Sequence, residues 1–132
     1  MDFSSVGLFQ RDVRQLLSSR ASALPDNLYP IHIIPREFVV DAQGGIKYPI
    51  GMSGSRLEVE THIITAPSSY WQNIKKCVEQ VGSNVYDVVF TAWASSLAVL
   101  TDTEKELGVT LLDIGAGTTG IVNFQEGSIV YS

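Results

Sequence analysis

One stretch near the end of the chain, residues 108–131, constrains the fold more than any other. An apolar run, Val109–Ile114, is followed after a Gly-Ala-Gly-Thr-Thr turn by a second apolar run, Ile121–Phe124, and after Gln-Glu-Gly by a third, Ser128–Tyr131. Short apolar runs joined by short glycine-containing loops are typical of a β-meander. Because the first run is apolar on both faces, we expect a strand that is covered on both sides.

The turn between the first two strands carries residues suited to binding chemistry. Gly115 and Gly117 have no Cβ atom, so the backbone can bend sharply and a ligand can approach the peptide N–H groups. Thr118 and Thr119 add hydroxyl donors, and a concave row of donors suits a phosphate. Asp113 stands at the mouth of the turn, where a carboxylate can hold a magnesium ion through water. The alternative is a plain hairpin whose glycines serve only the turn, since short glycine patterns are weak signals.

The motif Asp-Ile-Gly-Ala-Gly-Thr-Thr between two strands resembles the second phosphate-binding hairpin of the actin/sugar-kinase/Hsp70 superfamily. Five further motifs are Ile34–Asp41, Pro49–Gly54, His62–Thr65, Ala94–Leu100 and Glu104–Gly108. In this order they resemble the FtsA family of bacterial cell-division actin homologues, from Phe9 to the last residue. Two positions depart from the family hairpin: Ala116 replaces a glycine, which is a mild change, and Gly120 replaces the usual aspartate. The second departure puts the aspartate's polar contact in doubt, though not the phosphate cradle.

The resemblance implies an α/β fold, with an α+β insert and the start of an actin-like, ribonuclease-H-like nucleotide-binding subdomain. Residues 1–84 would form a strand-helix-strand-strand interaction subdomain that lacks its first strand. Residues 85–132 would form part of an ATP-binding subdomain. The implied cofactors are ATP and Mg²⁺. The implied site residues are Asp113 for the metal, the backbone of Gly115, Ala116, Gly117 and Thr118 for the phosphates, and a hydroxyl of Thr118 or Thr119.

The function implied by the resemblance is that of a nucleotide-binding scaffold and not of an enzyme. Such a protein binds ATP, polymerises with its own protomers at the inner membrane and anchors the FtsZ division ring together with other divisome proteins. Family members are much longer, and their first phosphate loop, adenosine-binding segment, FtsZ-binding subdomain and C-terminal membrane-binding helix have no counterpart here. We therefore expect an internal fragment that exposes apolar surface, binds nucleotide weakly at best and does not hydrolyse it. The fragment itself would be cytoplasmic, and the full-length protein would lie at the cytoplasmic face of the inner membrane.

Three alternatives stay open beside the scaffold. A small-molecule kinase of the same superfamily would need a catalytic base, and the segment from Tyr29 to Val81 offers none. The type IV pilus assembly actin homologue has a related insert, but the motifs around Pro35 and Gly51 favour FtsA. A stand-alone protein-interaction module would not need the phosphate hairpin after Gly108.

Composition excludes several other classes of protein. A net charge of −5 and an isoelectric point of about 4.8 argue against nucleic acid or an anionic membrane surface as a direct partner. The single cysteine, Cys77, cannot form an internal disulfide, which fits a reducing cytosol. His32, His62 and Cys77 are too few and too dispersed for a zinc site, which needs about four convergent ligands.

Hydrophobic periodicity and turn residues predict the remaining elements. They are an amphipathic helix Phe9–Ala21 with a stripe of Phe9, Val13, Leu16 and Leu17, a strand Tyr29–Asp41 bulged at Pro35, a glycine-rich excursion Ala42–Gly54, an alternating strand Arg56–Thr65, a helix Tyr70–Val81, a strand Val85–Phe90, a helix that begins at Trp93, and a capping box Thr101–Glu104. The helix Tyr70–Val81 is expected to be capped by Ser68 or Ser69 and ended by Gly82. Its buried stripe would be Trp71, Ile74, Val78 and Val81, with Cys77 half-buried.

Overall fold

The computed structural model describes residues 10–132, so Phe9 of the predicted helix stripe lies outside the described residues. The elements are α1 Gln10–Ser22, β1 Leu28–Val40, β2 Gln43–Ile46, β3 Leu57–Pro67, α2 Ser68–Gln80, α3 Thr91–Val99, α4 Asp102–Leu107, β4 Val109–Ile114, β5 Thr119–Gln125 and β6 Ser128–Tyr131. The strands form two three-stranded sheets, in the orders β2-β1-β3 and β4-β5-β6. This mixture of helices and sheets confirms the predicted α/β class.

The chain divides into two compact units. The first comprises the residues up to Leu24 together with Ile33–His62, and the second comprises Pro25–His32 together with Ile63–Ser132. The division near Asn84 into an interaction subdomain and part of an ATP-binding subdomain stays a prediction.

The first unit is built around a small apolar core on strands β1 and β3. Its buried residues are Phe38, Val40, Leu57 and Val59, and Val13, Leu16, Leu17, Ile46 and Met52 pack against them. The side chains of Glu58 and Glu60 are exposed. The predicted helix stripe and the alternation of β3 are therefore confirmed for these residues, since one face of each element meets the core.

The glycine-rich excursion after β1 begins with a tight hairpin that the sequence did not predict. Asp41 and Ala42 both have positive φ angles, 47° and 68°, and Val40 pairs with Gln43. These are the features of a two-residue type I′ turn. The sequence lacks the Asn-Gly or Asp-Gly pair that usually indicates such a turn, because Ala42 occupies the second turn position. The predicted bulge at Pro35 is not tested, because the irregular register between β1 and β2 lies further along, between Phe38 and Val40.

The Asp41 carboxylate closes the same excursion. It accepts hydrogen bonds from the Arg56 N–H (2.8 Å), the Ser55 hydroxyl (2.9 Å) and the Ser55 N–H (2.9 Å). These donors, the Arg56 amide first, hold the pKa of Asp41 below its usual range. The closed loop directs Ile46 and Met52 to the core and leaves Tyr48 and Ile50 exposed.

Helix α2 differs from the prediction in its cap and in its burial. Pro67 is the N-cap and makes no side-chain cap hydrogen bond. Ser68 cannot act as the cap because its N–H and hydroxyl donate to the carbonyls of Asn27 and Asp26. None of the residues of α2 is buried, and Cys77 is exposed. The buried stripe was therefore wrong, although Gly82 follows the helix with a φ of 82°, as expected for a helix end.

The segment Val85–Phe90 is not a strand in this structure. Two of its backbone N–H groups bond to side chains: Val88 donates to the Asp87 carboxylate (2.7 Å) and Phe90 donates to Nε2 of His32 (2.9 Å). Side chains that capture backbone groups in this way compete with sheet formation. The predicted strand was wrong for this reason.

Acid is expected to destabilise the second unit through His32. Its ring accepts from Phe90 at Nε2 and lies edge-on to Trp93, with 4.2 Å between ring centroids. Burial lowers the pKa of His32 despite the opposing charge of Asp87. Since the folded-state pKa lies below the unfolded value of about 6.5, the stability that neutral His32 contributes is complete above that value and is lost as the pH falls from it through the folded-state pKa.

Urea unfolding at pH 7.5 and pH 5.5 measures this loss, and His32→Gln should reduce the pH dependence. His62→Gln is measured beside it, because burial and the Arg36 charge also lower the pKa of His62, so this variant should remove a separate share of the pH dependence. Equal pH dependence in wild type and His32→Gln would contradict the assignment.

The capping box and the meander follow the prediction. The Glu104 N–H donates to the Thr101 hydroxyl while the Glu104 carboxylate accepts from the Thr101 N–H. Strands β4, β5 and β6 are antiparallel neighbours. One expectation was wrong: β4 is not covered on both sides, because Leu112 and Ile114 are 56% and 75% exposed. This open apolar face agrees with the expected exposure of apolar surface.

Candidate phosphate-binding hairpin

The β4–β5 hairpin ends in an exposed turn. Strand pairing continues to Ile114 and Thr119, and the Gly115 N–H donates to the Thr118 carbonyl across the turn, at 2.9 Å. All residues from Gly115 to Thr119 are exposed. The structure therefore places the predicted backbone and hydroxyl donors together at one tip.

The two glycines of the turn have different structural explanations. Neither has a positive φ, so neither is required by the left-handed region. A Cβ on Gly115 would lie 3.2 Å from the Thr118 carbonyl oxygen, whereas a Cβ on Gly117 would meet nothing within 4 Å. Packing therefore accounts in part for Gly115 and gives no reason for Gly117.

Asp113 lies at the end of β4, on the face that also carries the buried Leu111. Its carboxylate is partly buried, and Oδ2 accepts a hydrogen bond from the Ser95 hydroxyl of α3 at 2.9 Å. A carboxylate offers about four lone-pair positions, so one bond to serine leaves acceptor capacity for a hydrated cation. The sequence suggested no role for Ser95, and only its place in the Ala94–Leu100 motif marked it.

Gly120 pairs with Asp113 across the hairpin and packs against α3. A Cβ at this position would lie 2.9 Å from the Cβ of Ala92, which is fully buried. Real Cβ atoms do not approach this closely without displacement of the neighbour. The departure from the family aspartate therefore has a packing reason in this chain.

Among residues 10–132 there is no group of three or more His, Cys, Asp or Glu side chains that could hold a metal ion. A magnesium ion at the hairpin would have Asp113 as its protein ligand and would complete its shell with phosphate oxygens and water, as this ion commonly does. The oxygen and amide donors of the turn fit such a metal–phosphate pair.

Comparison with known proteins shows the family. Residues 7–65 match the family model described as the SHS2 domain inserted in FtsA. The chain is 44% identical over 119 residues to the cell division protein FtsA of Pseudomonas aeruginosa. The aligned stretch covers 89% of this chain and 28% of that protein. The chain belongs to the FtsA family. FtsA proteins of Borreliella burgdorferi and Escherichia coli K12 are 43% and 40% identical, over 93% and 91% of the chain.

One of these alignments extends over the hairpin. The Borreliella burgdorferi alignment covers 93% of the 132 residues, so it includes residues 113–119 whichever end is left out.

The chain spans 28–30% of the length of these three relatives. Within residues 10–132, no helix combines the length and the apolar character needed to cross a membrane.

Proposed function

We propose that the hairpin of residues 113–119 binds the phosphates of ATP. Asp113 organises Mg²⁺, the exposed amides of Ala116, Gly117 and Thr118 donate to phosphate oxygens, and the hydroxyl of Thr118 or Thr119 adds a donor. In the ligand-free hairpin the Gly115 N–H bonds to the Thr118 carbonyl, so Gly115 contributes mainly by shaping the turn.

The observation that carries this proposal is the glycine at position 117. It is exposed, its φ does not require glycine, and the space around its missing Cβ is empty. Folding alone would tolerate any small residue there. A ligand that must lie against the backbone supplies the reason for glycine.

The wider role proposed for the full-length protein is that of a cell-division scaffold and not of an enzyme. ATP would set its conformation, filaments of its own protomers would form at the cytoplasmic face of the inner membrane, and the filament would anchor the FtsZ ring with other divisome proteins. The support is membership of the FtsA family and the relatives' shared name, cell division protein.

Replacing Gly117 by alanine is expected to weaken Mg-ATP binding about tenfold and to leave stability unchanged. The methyl group would keep a phosphate from one amide, and a hydrogen bond to a charged group contributes about 1.5 kcal/mol. The same methyl group meets no protein atom within 4 Å. Amide NMR titration gives the affinity and thermal unfolding gives the stability.

Gly44→Ala is the matched control, because a Cβ there makes only an ordinary contact of 3.9 Å with Val39 and the position is distant in sequence from the turn. An alanine at 117 that binds Mg-ATP as tightly as glycine would remove the main support for the proposal.

A further inference from the structure

The contact between Ser95 and Asp113 suggests a role for α3 in the site. Ala92, Ser95 and Ser96 are spaced i, i+3 and i+4, so they share one face of the helix. Ala92 and Ser96 are fully buried on that face. Helix α3 packs on β4 and β5, which brings the Ser95 hydroxyl to the mouth of the turn.

The two neighbouring serines make different bonds. The Ser96 hydroxyl donates to the Trp93 carbonyl within its own helix, whereas the Ser95 hydroxyl donates to Oδ2 of Asp113 at 2.9 Å. The bond from Ser95 crosses from helix to sheet and ends on the carboxylate assigned to the metal. A hydrogen bond to one carboxylate oxygen restricts rotation of the group and so fixes where its remaining lone pairs lie.

We propose that Ser95 is a positioning residue that orients the Asp113 carboxylate for the divalent cation bound with the nucleotide phosphates. The proposal rests on the proposed function of the hairpin and adds a residue that acts through Asp113 without touching the ligand. Groups that hydrogen-bond a metal ligand typically change metal affinity by about 10- to 100-fold when they are removed. The competing explanation is that the same bond only fastens α3 to β4.

The test uses Mn²⁺ with ATP as a paramagnetic probe of the whole chain, read as distance-dependent broadening of amide signals. In wild type, broadening should centre on residues 113–119. Ser95→Ala should require about tenfold more Mn²⁺ for the same broadening at saturating ATP. Ser95→Thr, which keeps a hydroxyl, should restore a response close to wild type.

Ser96→Ala is the control, because it removes a buried serine hydroxyl from the same helix without touching Asp113. It should respond to Mn²⁺ as wild type does. If Ser95→Ala does not fold, Ser95→Cys takes its place, since cysteine is similar in size and a weaker donor.

The outcomes separate the two proposals. Broadening at residues 113–119 that is equal in wild type and in the folded Ser95 variants would overturn the role of Ser95 and leave the phosphate site standing. Absence of Mn²⁺–ATP broadening at residues 113–119 in wild type would overturn both. If Ser95→Ala weakens the Mn²⁺ response and Ser95→Thr does not restore it, the bond only attaches α3 to β4, and the positioning role is wrong.

Discussion

Replacing Gly120 by aspartate, the residue that the family resemblance implies at this position, is expected to destabilise this chain by about 2 kcal/mol. A Cβ at position 120 would lie 2.9 Å from the Cβ of Ala92 and 3.6 Å from that of Asp113. Ala92 is fully buried on α3 and is backbone-attached, so it cannot rotate away. Adding atoms to a packed interior typically costs 1–3 kcal/mol, about the value expected here.

The same contact predicts that shortening Ala92 will offset the change. Ala92→Gly alone should cost about 1 kcal/mol, since glycine weakens a helix. Combined with Gly120→Asp, it removes the atom that clashes. The double variant should therefore lose less free energy of unfolding than the sum of the two single losses, by about 1 kcal/mol or more. Urea unfolding of the four proteins gives this coupling energy.

Gly117→Ala is the control for position 120 because it adds the same first carbon three residues earlier in the hairpin, into open space. If Gly120→Asp is as stable as wild type, or if the Ala92 and Gly120 changes are strictly additive, the packing explanation for the departure from the family pattern is wrong.

Among single glycine-to-alanine changes in the first unit, Gly54→Ala is expected to be the most damaging. It should lower the free energy of unfolding by about 2–3 kcal/mol. Its Cβ would lie 2.6 Å from Cγ1 of Val40 and 2.9 Å from Oδ2 of Asp41. Val40 belongs to the buried core, and the Asp41 carboxylate receives the bonds from Ser55 and Arg56. The methyl group would therefore disturb core packing and loop closure together.

The stability of Gly54→Ala should be measured beside Gly44→Ala, which lies on β2 in the same unit and gains only a contact of 3.9 Å with Val39. The control should remain within about 0.5 kcal/mol of wild type. Equal stabilities for the two variants would show that the loop adapts to a side chain at position 54.

Local patterns were enough to predict the elements whose partners lie close in sequence. The β4–β6 meander depends on adjacent strands and tight turns, and the capping box at Thr101 and Glu104 is complete within four residues. The alternation of β3 also predicted the buried pair Leu57 and Val59 correctly, but it placed Ile63 on the same inward face, whereas Ile64 is the buried residue there. Each of these features is decided by residues that neighbour one another along the chain.

Other elements depend on partners that a local pattern does not reveal. The apolar stripe of α2 is covered only in part, since Trp71 stacks on Tyr29 whereas Ile74 and the C-cap residue Val81 are 50% and 79% exposed. Residues 85–90 have the composition of a strand, yet His32 and Asp87 take two of the backbone N–H groups. Serine is a residue type that often caps helices, but the N–H and hydroxyl of Ser68 are bonded to the loop that precedes β1.

The candidate site divides in the same way. Asp113 and the turn after it were identified from the motif, because glycine, threonine and aspartate stand together in the sequence. The contacts of Ser95 with Asp113 and of Ala92 with Gly120 join residues that are 18 and 28 positions apart. Helix–sheet packing creates these contacts, so the sequence showed the departure at Gly120 without its cause.

The most direct measurement of the central claim is an amide NMR map of the wild-type chain during titration with Mg-ATP. We expect the largest shifts at the amides of residues 113–119, strongest at Ala116, Gly117 and Thr118, and a marked reduction when EDTA removes Mg²⁺. Hairpin amides that stay unchanged at millimolar Mg-ATP, or shifts confined to another part of the chain, would contradict the assignment of this turn to nucleotide phosphates.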